Sequence, residues 1–205
     1  SMLSGVSLSA DRFFYPNPLE SNGQHERSAW FGCACCPSNI VRFVPAIPGY
    51  VYAVTDKELY VNLFISNEAE ITMGKKNIRI SQKANFPWDG NVEISVYPEN
   101  NVKFDLKIRI PGWALNEALP GGLYKFTDQN NEKVKVLVNG LNFEITALTG
   151  GYAVISRKWE QGDKIDVEFP MPVRKVVADV RVKEDIDRIA IQKGPVIYCA
   201  EWPDN

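Results

Sequence analysis

Short runs of alternating apolar and polar residues fill the chain after Gly49, and they constrain its fold more than any other feature. In the runs NVEISVYP, residues 91–98, and VKFDLKIRI, residues 102–110, every second residue is apolar. A period of two with polar residues between is typical of antiparallel sheets that are covered on one side. About a dozen such runs follow one another at spacings of about 8 to 12 residues, and the pair Asn139-Gly140 is the strongest hairpin signal. We therefore predict a mainly β chain that forms an antiparallel, jelly-roll-like β-sandwich over residues 49–205.

Residues 1–48 have a different texture, because loop-forming residues dominate them and no alternation is visible. The stretch PSNIVRFVPAIPG predicts one short helix near residues 38–46. Either Ser38 or Asn39 is suited to cap its start, and prolines end it. The chain is thus expected to consist of a loop and helix segment, 1–48, and a sandwich domain, 49–205.

The charge pattern excludes two classes of partner. The 205 residues carry 23 basic and 25 acidic side chains, well mixed, for a net charge of −2. No basic patch suggests nucleic acid, and neither a polybasic anchor nor a long apolar run suggests a membrane.

Three of the four cysteines are crowded into ERSAWFGCACCPSN, residues 26–39, beside the chain's single histidine, His25. A disulfide between adjacent cysteines would strain the backbone, so a metal site, a reactive thiol, or both are the remaining interpretations of Cys33, Cys35 and Cys36. A closed zinc finger requires four ligands, and the fourth cysteine, Cys199, lies alone in the apolar run PVIYCAE, where we expect a buried thiol. The spacing also differs from a redox CxxC.

Four tryptophans lie near strand ends or turns, namely Trp88, Trp113, Trp159 and Trp202. Two interpretations of them are possible. They can stack on sugar rings, as in carbohydrate-binding modules, or they can close the ends of a sandwich core, which is the interpretation we favour for each. The loop FPWDG, residues 86–90, contains the best binding candidate.

The segment NPLESNGQHERSAWFGCACCPSNIVRFVPAIPGYVYA resembles the end of the catalytic barrel in glycoside hydrolase family 127, the β-L-arabinofuranosidase family. That family carries a Cys-Cys-Pro-x-Asn stretch before its last barrel helix, which is present here from Cys35 to Asn39. The pieces KIRIPGWA, VNG, GYAVISRKWEQGDKIDVEFPMPVR and RIAIQKGPVIYCAE are similar to later parts of the family. The resemblance extends over nearly the whole chain from about residue 11 onward.

The resemblance implies an (α/α)6 barrel followed by β-sandwich domains, so that residues 1–48 are the remnant of the barrel. It also implies a retaining glycosidase with a cysteine nucleophile, Cys35, and a zinc ion held in part by Cys35 and Cys36. In the family a further Glu and Cys ligate the zinc, and another Glu is the general acid/base. These lie upstream in the barrel, outside this chain. We therefore expect the chain alone to lack activity and to bind zinc weakly or not at all.

Nearby residues receive no catalytic role. Glu20 and Glu26 are the carboxylates closest to the thiols in sequence, and we expect Glu26 to form a salt bridge with Arg27 or another neighbour. We expect His25 to be structural or to lie at the edge of the substrate site, and Cys33 to pack.

Two other classes of function remain open. The chain could be a non-catalytic module that binds carbohydrate or supports a partner domain, or it could be a zinc or thiol sensor. The partner implied for the whole enzyme is a carbohydrate bound through the barrel. A homodimer through residues 1–48 is also predicted. That segment is rich in apolar residues, which on this resemblance would pack against the rest of the barrel.

Overall fold

The computed structural model describes residues 5–15, 24–33 and 35–198, except for the side chain of Cys36. The described residues form two units that divide between Gly49 and Tyr50. No helix among them is long and apolar enough to cross a lipid bilayer.

The helices of the N-terminal region start earlier than the sequence predicted. Helix α1 comprises Cys35–Phe43, a 3-10 helix follows at Val44–Ala46, and α2 comprises Pro48–Val51. Helix α1 includes Pro37 because a proline is tolerated in the first turn, where its missing N–H has no partner to lose.

The predicted caps of this helix were wrong. Ser38 and Asn39 lie inside α1, and both side chains donate to the carbonyl oxygen of Cys35, from Oγ at 3.4 Å and from Nδ2 at 2.9 Å. Their polar groups therefore hold the first turn from within.

Residues 50–198 contain the β-strands, as the alternation predicted. In chain order they are β1 Tyr52–Val54, β2 Glu58–Val61, β3 Asn67–Met73, β4 Lys76–Ala84, β5 Asn91–Pro98, β6 Val102–Arg109, β7 Tyr124–Phe126, β8 Lys135–Val138, β9 Leu141–Phe143, β10 Tyr152–Trp159, β11 Asp163–Glu168, β12 Val173–Ala178, β13 Ala190–Lys193 and β14 Val196–Tyr198. Two short 3-10 helices, Gly112–Leu115 and Lys183–Asp185, lie in the connections.

These strands form three sheets. The first has the order β1-β2-β6-β10, the second β3-β4-β5-β11-β8-β9, and the third β14-β13-β12-β7. All pairings are antiparallel except β2 with β6, where Glu58 lies opposite Asp105 in a parallel register. The mainly β prediction is confirmed, and its purely antiparallel pairing is corrected at this one place.

The first and second sheets face each other and share the main core. The alternate apolar positions of β5 and β6 are buried, as are residues of the strands beside them. The most completely buried side chains of this core include Trp159, Leu59, Leu106, Ile80 and Ile94. The third sheet has a smaller core of its own, built from Ala118, Phe126 and Val176.

The predicted hairpin is confirmed between β8 and β9, where Val138 pairs with Leu141. Asn139 and Gly140 both adopt positive φ angles, 52° and 78°, as a type I′ turn requires. The Asn139 side chain also anchors the neighbouring strand, because its Nδ2 donates to Asp163 Oδ1 at 2.7 Å and its Oδ1 accepts from the backbone N–H of Lys164.

Candidate functional site

Two of the clustered cysteines meet a tyrosine from a distant part of the N-terminal unit. The hydroxyl of Tyr15 donates to Cys33 Sγ at 3.1 Å and lies 2.5 Å from Cys35 Sγ. The two sulfurs are 3.4 Å apart, with Cys33 placed to donate to Cys35. Both cysteines are exposed, so a ring of three polar groups lies open at the start of α1.

A short antiparallel bridge brings Tyr15 to the cysteines. The backbone groups of Phe13 and Ser28 exchange hydrogen bonds of 2.9 and 3.0 Å, which align residues 13–15 with residues 28–33. The ring of Phe31 then packs between those of Phe13 and Tyr15, with centroid distances of 5.2 and 5.6 Å. Aromatic packing thus holds the tyrosine over the thiols.

The surroundings of Cys33 favour its thiolate. The Tyr15 hydroxyl, and after it the backbone and side chain of Cys35, hold the pKa of Cys33 below its usual value of 9.0. Hydrogen bonds to a charged sulfur stabilise it relative to the neutral thiol. Tyr15 has a single hydroxyl proton, which it can donate to the sulfur of Cys33 or to that of Cys35, and Cys33 S–H is placed to donate to Cys35.

The other polar residues predicted near the thiols have local contacts. His25 stacks on the ring of Phe14 at 4.8 Å, and Arg27 covers the same ring at 4.3 Å. Arg27 Nε also donates to the carbonyl oxygen of Gly5. Glu26 is exposed, and no ion pair joins it to Arg27 or to any other residue that the structure describes, so the expected salt bridge with another described residue was wrong.

The described thiols at this site are donors of a type that zinc accepts. Thiolates are suitable ligands for zinc, and the exposed sulfur of Cys35 is one such donor. Within residues 5–15, 24–33 and 35–198, no group of three His, Cys, Asp or Glu side chains converges. The donor type fits zinc, and the number of donors is too small for a closed site.

Several predicted residues lie outside the described part of the chain. These are the Cys36 side chain, Glu20, Cys199 and Trp202. The predicted burial of Cys199 therefore stays a prediction.

The other tryptophans have separate surroundings in the sandwich. Trp159 is fully buried, stacks on Phe104 and donates from Nε1 to its carbonyl oxygen at 3.0 Å. Trp113 is partly buried between Phe86 and Phe169. Both of these tryptophans therefore pack in the hydrophobic core.

Trp88 differs, because 60% of it is exposed on the loop between β4 and β5. Its carbonyl oxygen accepts from Lys193 Nζ at 3.3 Å.

Three family models match the chain, one after another. The model described as the catalytic domain of GH127 β-L-arabinofuranosidase matches residues 1–49. The GH127 middle domain matches residues 58–171, and the glycoside hydrolase family 127 C-terminal domain matches residues 173–205.

Individual relatives agree with these matches. A non-reducing end β-L-arabinofuranosidase from Bifidobacterium longum subsp. longum is 34% identical over 99% of this chain. A solved GH127 β-arabinofuranosidase is 49% identical over 99% of the chain, with a TM-score of 0.90. A GH127 β-L-arabinofuranosidase from Geobacillus stearothermophilus T6 is 34% identical, with a TM-score of 0.83. The chain spans only 30 to 32% of the length of these relatives.

Proposed function

The chain belongs to glycoside hydrolase family 127, the β-L-arabinofuranosidase family, and we propose from this premise that it is the C-terminal part of a retaining β-L-arabinofuranosidase. In this proposal Cys35 is the nucleophile that attacks the anomeric carbon of the sugar. The carbohydrate substrate is bound mainly by the barrel, most of which corresponds to the part of the relatives that this chain does not span.

The placement of the Cys35 sulfur is the observation that best supports this role. A nucleophile must be accessible and must be held as its anion. Cys35 is exposed, and its sulfur lies within reach of Tyr15 and Cys33. Asn39 donates to the carbonyl oxygen of Cys35 at 2.9 Å and so fixes the backbone that carries the sulfur.

Zinc would be held by Cys35 and Cys36 together with ligands from outside this chain. When bound, zinc keeps a coordinating thiol deprotonated. Tyr15 and Cys33 then orient the Cys35 sulfur through their hydrogen bonds. The proton for the leaving oxygen comes from a general acid, which we also place outside this chain.

Comparing the 205-residue chain with the longer protein tests the proposal. We expect the chain alone to release no sugar from a chromogenic β-L-arabinofuranoside and to bind zinc weakly in equilibrium dialysis. The longer protein should be active, and Cys35→Ser should lower its kcat/KM by more than about 10³-fold. Cys199→Ser is the matched control and should retain activity. Turnover by the 205-residue chain that Cys35→Ser abolishes would contradict the placement of the acid.

A carbohydrate-binding module is the second candidate, and the exposed ring of Trp88 favours it. Aromatic rings at strand ends bind sugars by stacking, and the nearby Lys193 can donate a hydrogen bond. In affinity electrophoresis on arabinan, Trp88→Ala should then abolish a retardation that Trp30→Ala leaves unchanged. Equal mobility with and without arabinan would reject this candidate.

We also propose that the isolated chain pairs with a second copy through residues 1–48. Trp30, Ile40 and Val41 are 60%, 40% and 68% exposed, and burying an apolar side chain of this size contributes about 1.5–3 kcal/mol. Light scattering after size exclusion should show a dimer that Val41→Lys converts to a monomer. A monomeric wild-type chain would reject the pairing.

A further inference from the structure

Cys33 forms no covalent bond in the proposed reaction, yet its sulfur lies 3.4 Å from that of Cys35. A disulfide bond is about 2.05 Å long, so the sulfurs must approach by about 1.4 Å to become bonded. Both side chains are exposed to small solutes. We propose that Cys33 and Cys35 form a reversible disulfide when a peroxide reaches the site.

The backbone around the two cysteines allows this approach. Cys35 is the first residue of α1, and Asn39 and Ser38 both donate to its carbonyl oxygen. Cys33 precedes the helix and follows Gly32, whose surroundings are open, with no atom within 4 Å of the position that a Cβ would take. The open space at Gly32 therefore leaves room beside Cys33 for such a shift.

The alternative pair, Cys35 with Cys36, is less favourable. Adjacent cysteines close a small ring that strains the peptide bond between them. Tyr15 instead holds the sulfurs of Cys33 and Cys35 around one hydroxyl oxygen, at 3.1 and 2.5 Å. Among the cysteine sulfurs that the structure describes, those of Cys33 and Cys35 are thus held next to each other.

The chemistry has two balanced steps. Hydrogen peroxide oxidises the Cys35 thiol to a sulfenic acid, and the second peroxide oxygen leaves as water. The Cys33 sulfur then attacks the Cys35 sulfur, the S–O bond breaks, and the sulfenic oxygen leaves as water with the remaining thiol proton. Two thiols lose two electrons in total and one peroxide is reduced. A dithiol reductant reverses the bridge by thiol–disulfide exchange.

The consequence for catalysis rests on the proposed function. If Cys35 is the nucleophile, the disulfide removes it reversibly. Cys33 would also protect Cys35 from the sulfinic and sulfonic acids, which simple thiols do not reduce.

Mass spectrometry of the peroxide-treated 205-residue chain tests the bridge without any activity assay. Tryptic cleavage releases Ser28–Arg42, which contains all three clustered cysteines. We expect this peptide to lose two hydrogen atoms, to regain them with dithiothreitol, and to show a Cys33–Cys35 linkage in its fragments. Cys36→Ser and Cys199→Ser are the matched controls and should form the same bridge.

Cys33→Ser and Cys35→Ser should not form a bridge, and Cys33→Ser should instead accumulate sulfinic and sulfonic acid at Cys35. A linkage that includes Cys36, or loss of the bridge in Cys36→Ser, would overturn the proposal. So would a Cys33→Ser chain that is protected as well as the wild type.

Activity of the longer protein separates this proposal from the proposed function. Peroxide should inactivate it and dithiothreitol should restore its activity. A bridge that forms in the longer protein and leaves activity unchanged would uphold the disulfide and overturn the nucleophilic role of Cys35.

Discussion

The two units of the chain bury their large side chains to very different extents. In the sandwich, Trp159 and Leu106 are completely buried, whereas in the N-terminal unit Trp30 and Val41 are 60% and 68% exposed. Because burial of apolar surface is the main stabilising term in folding, the sandwich contains the interactions that determine its own structure. The N-terminal unit has large apolar side chains that its own fold leaves uncovered.

Polar side chains also have different tasks in the two units. In the sandwich they support the strands, as Asn139 does when it donates to Asp163 beside the β8–β9 turn. In the N-terminal unit, Tyr15 is directed at two exposed sulfurs. The chemically reactive thiols therefore lie in the N-terminal unit, whose large apolar side chains are exposed.

The largest effect that separates the units comes from their tryptophans. Trp159→Ala removes a fully buried ring and its hydrogen bond to the carbonyl oxygen of Phe104. We expect it to lower the free energy of unfolding by about 3–5 kcal/mol in urea denaturation. At a protein concentration low enough to keep the chain monomeric, the matched variant Trp30→Ala should change it by less than about 0.5 kcal/mol. Equal losses would show that the N-terminal unit contributes as much to stability as the core.

A second comparison uses two glycines. A Cβ on Gly90 would lie 2.0 Å from the carbonyl oxygen of Phe169, whereas the same position on Gly32 is open. The backbone N–H of Phe169 also donates to the carbonyl oxygen of Gly90 at 2.9 Å. Gly90→Ala should cost about 2–3 kcal/mol, and Gly32→Ala should be close to neutral, both measured by urea denaturation. A stable Gly90→Ala chain would mean that the loop after Trp88 can shift freely.

Alternation in the sequence was enough to predict the long strands because each of them has one buried face. It did not predict β7, which has only three residues, Tyr124–Phe126, and lies between glycines and a polar stretch. Its partner β12 is some fifty residues away, at Val173–Ala178. Alternation also does not indicate the direction of a strand relative to its neighbour, so it could not predict the parallel pairing of β2 with β6.

The site was predictable in part for a similar reason. The cysteine cluster is local in sequence, and it was recognised. Tyr15 is 18 residues from Cys33 and reaches it through the Phe13–Ser28 bridge. No short motif records such a contact, so the sequence did not point to the tyrosine.

A third prediction concerns the pH dependence of the sandwich. Lys107 Nζ lies 2.7 Å from Glu58 Oε1, and this contact, with a hydrogen bond from Tyr60, lowers the pKa of Glu58 from its usual 4.5. A carboxylate with a lowered pKa stabilises the fold above its unfolded-state pKa, and that stability is lost as pH falls through the folded-state value. Glu58→Gln should therefore destabilise the chain at pH 7 and much less at about pH 3.

Urea denaturation over that range measures the difference between Glu58→Gln and the wild type. Glu144→Gln is the comparison variant, since no ion pair involves Glu144 in the described residues. A stability difference that stays constant from pH 7 to pH 3 would show that the Glu58–Lys107 pair does not contribute through its charge.

The smallest effect on stability belongs to the tyrosine of the candidate site. Tyr15→Phe removes the hydroxyl that donates to Cys33 Sγ and leaves the ring that packs on Phe31. Because this hydrogen bond is the main cause of the lowered pKa of Cys33, the variant should raise that pKa toward 9.0. At a given pH near 8, less of the thiol is then ionised, so alkylation by iodoacetamide slows and its pH midpoint moves upward.

The rate for Cys33 is followed by mass spectrometry of the alkylated peptide, with a chelator present to remove metal ions. Tyr60→Phe is the matched control, because the Tyr60 hydroxyl donates to Glu58 within the sandwich. Tyr60→Phe should reduce the free energy of unfolding slightly and leave the pH midpoint of Cys33 alkylation unchanged. Tyr15→Phe should leave the free energy of unfolding nearly unchanged and move that midpoint upward. An unchanged midpoint in Tyr15→Phe would show that the tyrosine packs beside the thiols without controlling their ionisation. The sandwich and the N-terminal unit would then differ in the burial of their apolar side chains and not in the reactivity of their polar groups.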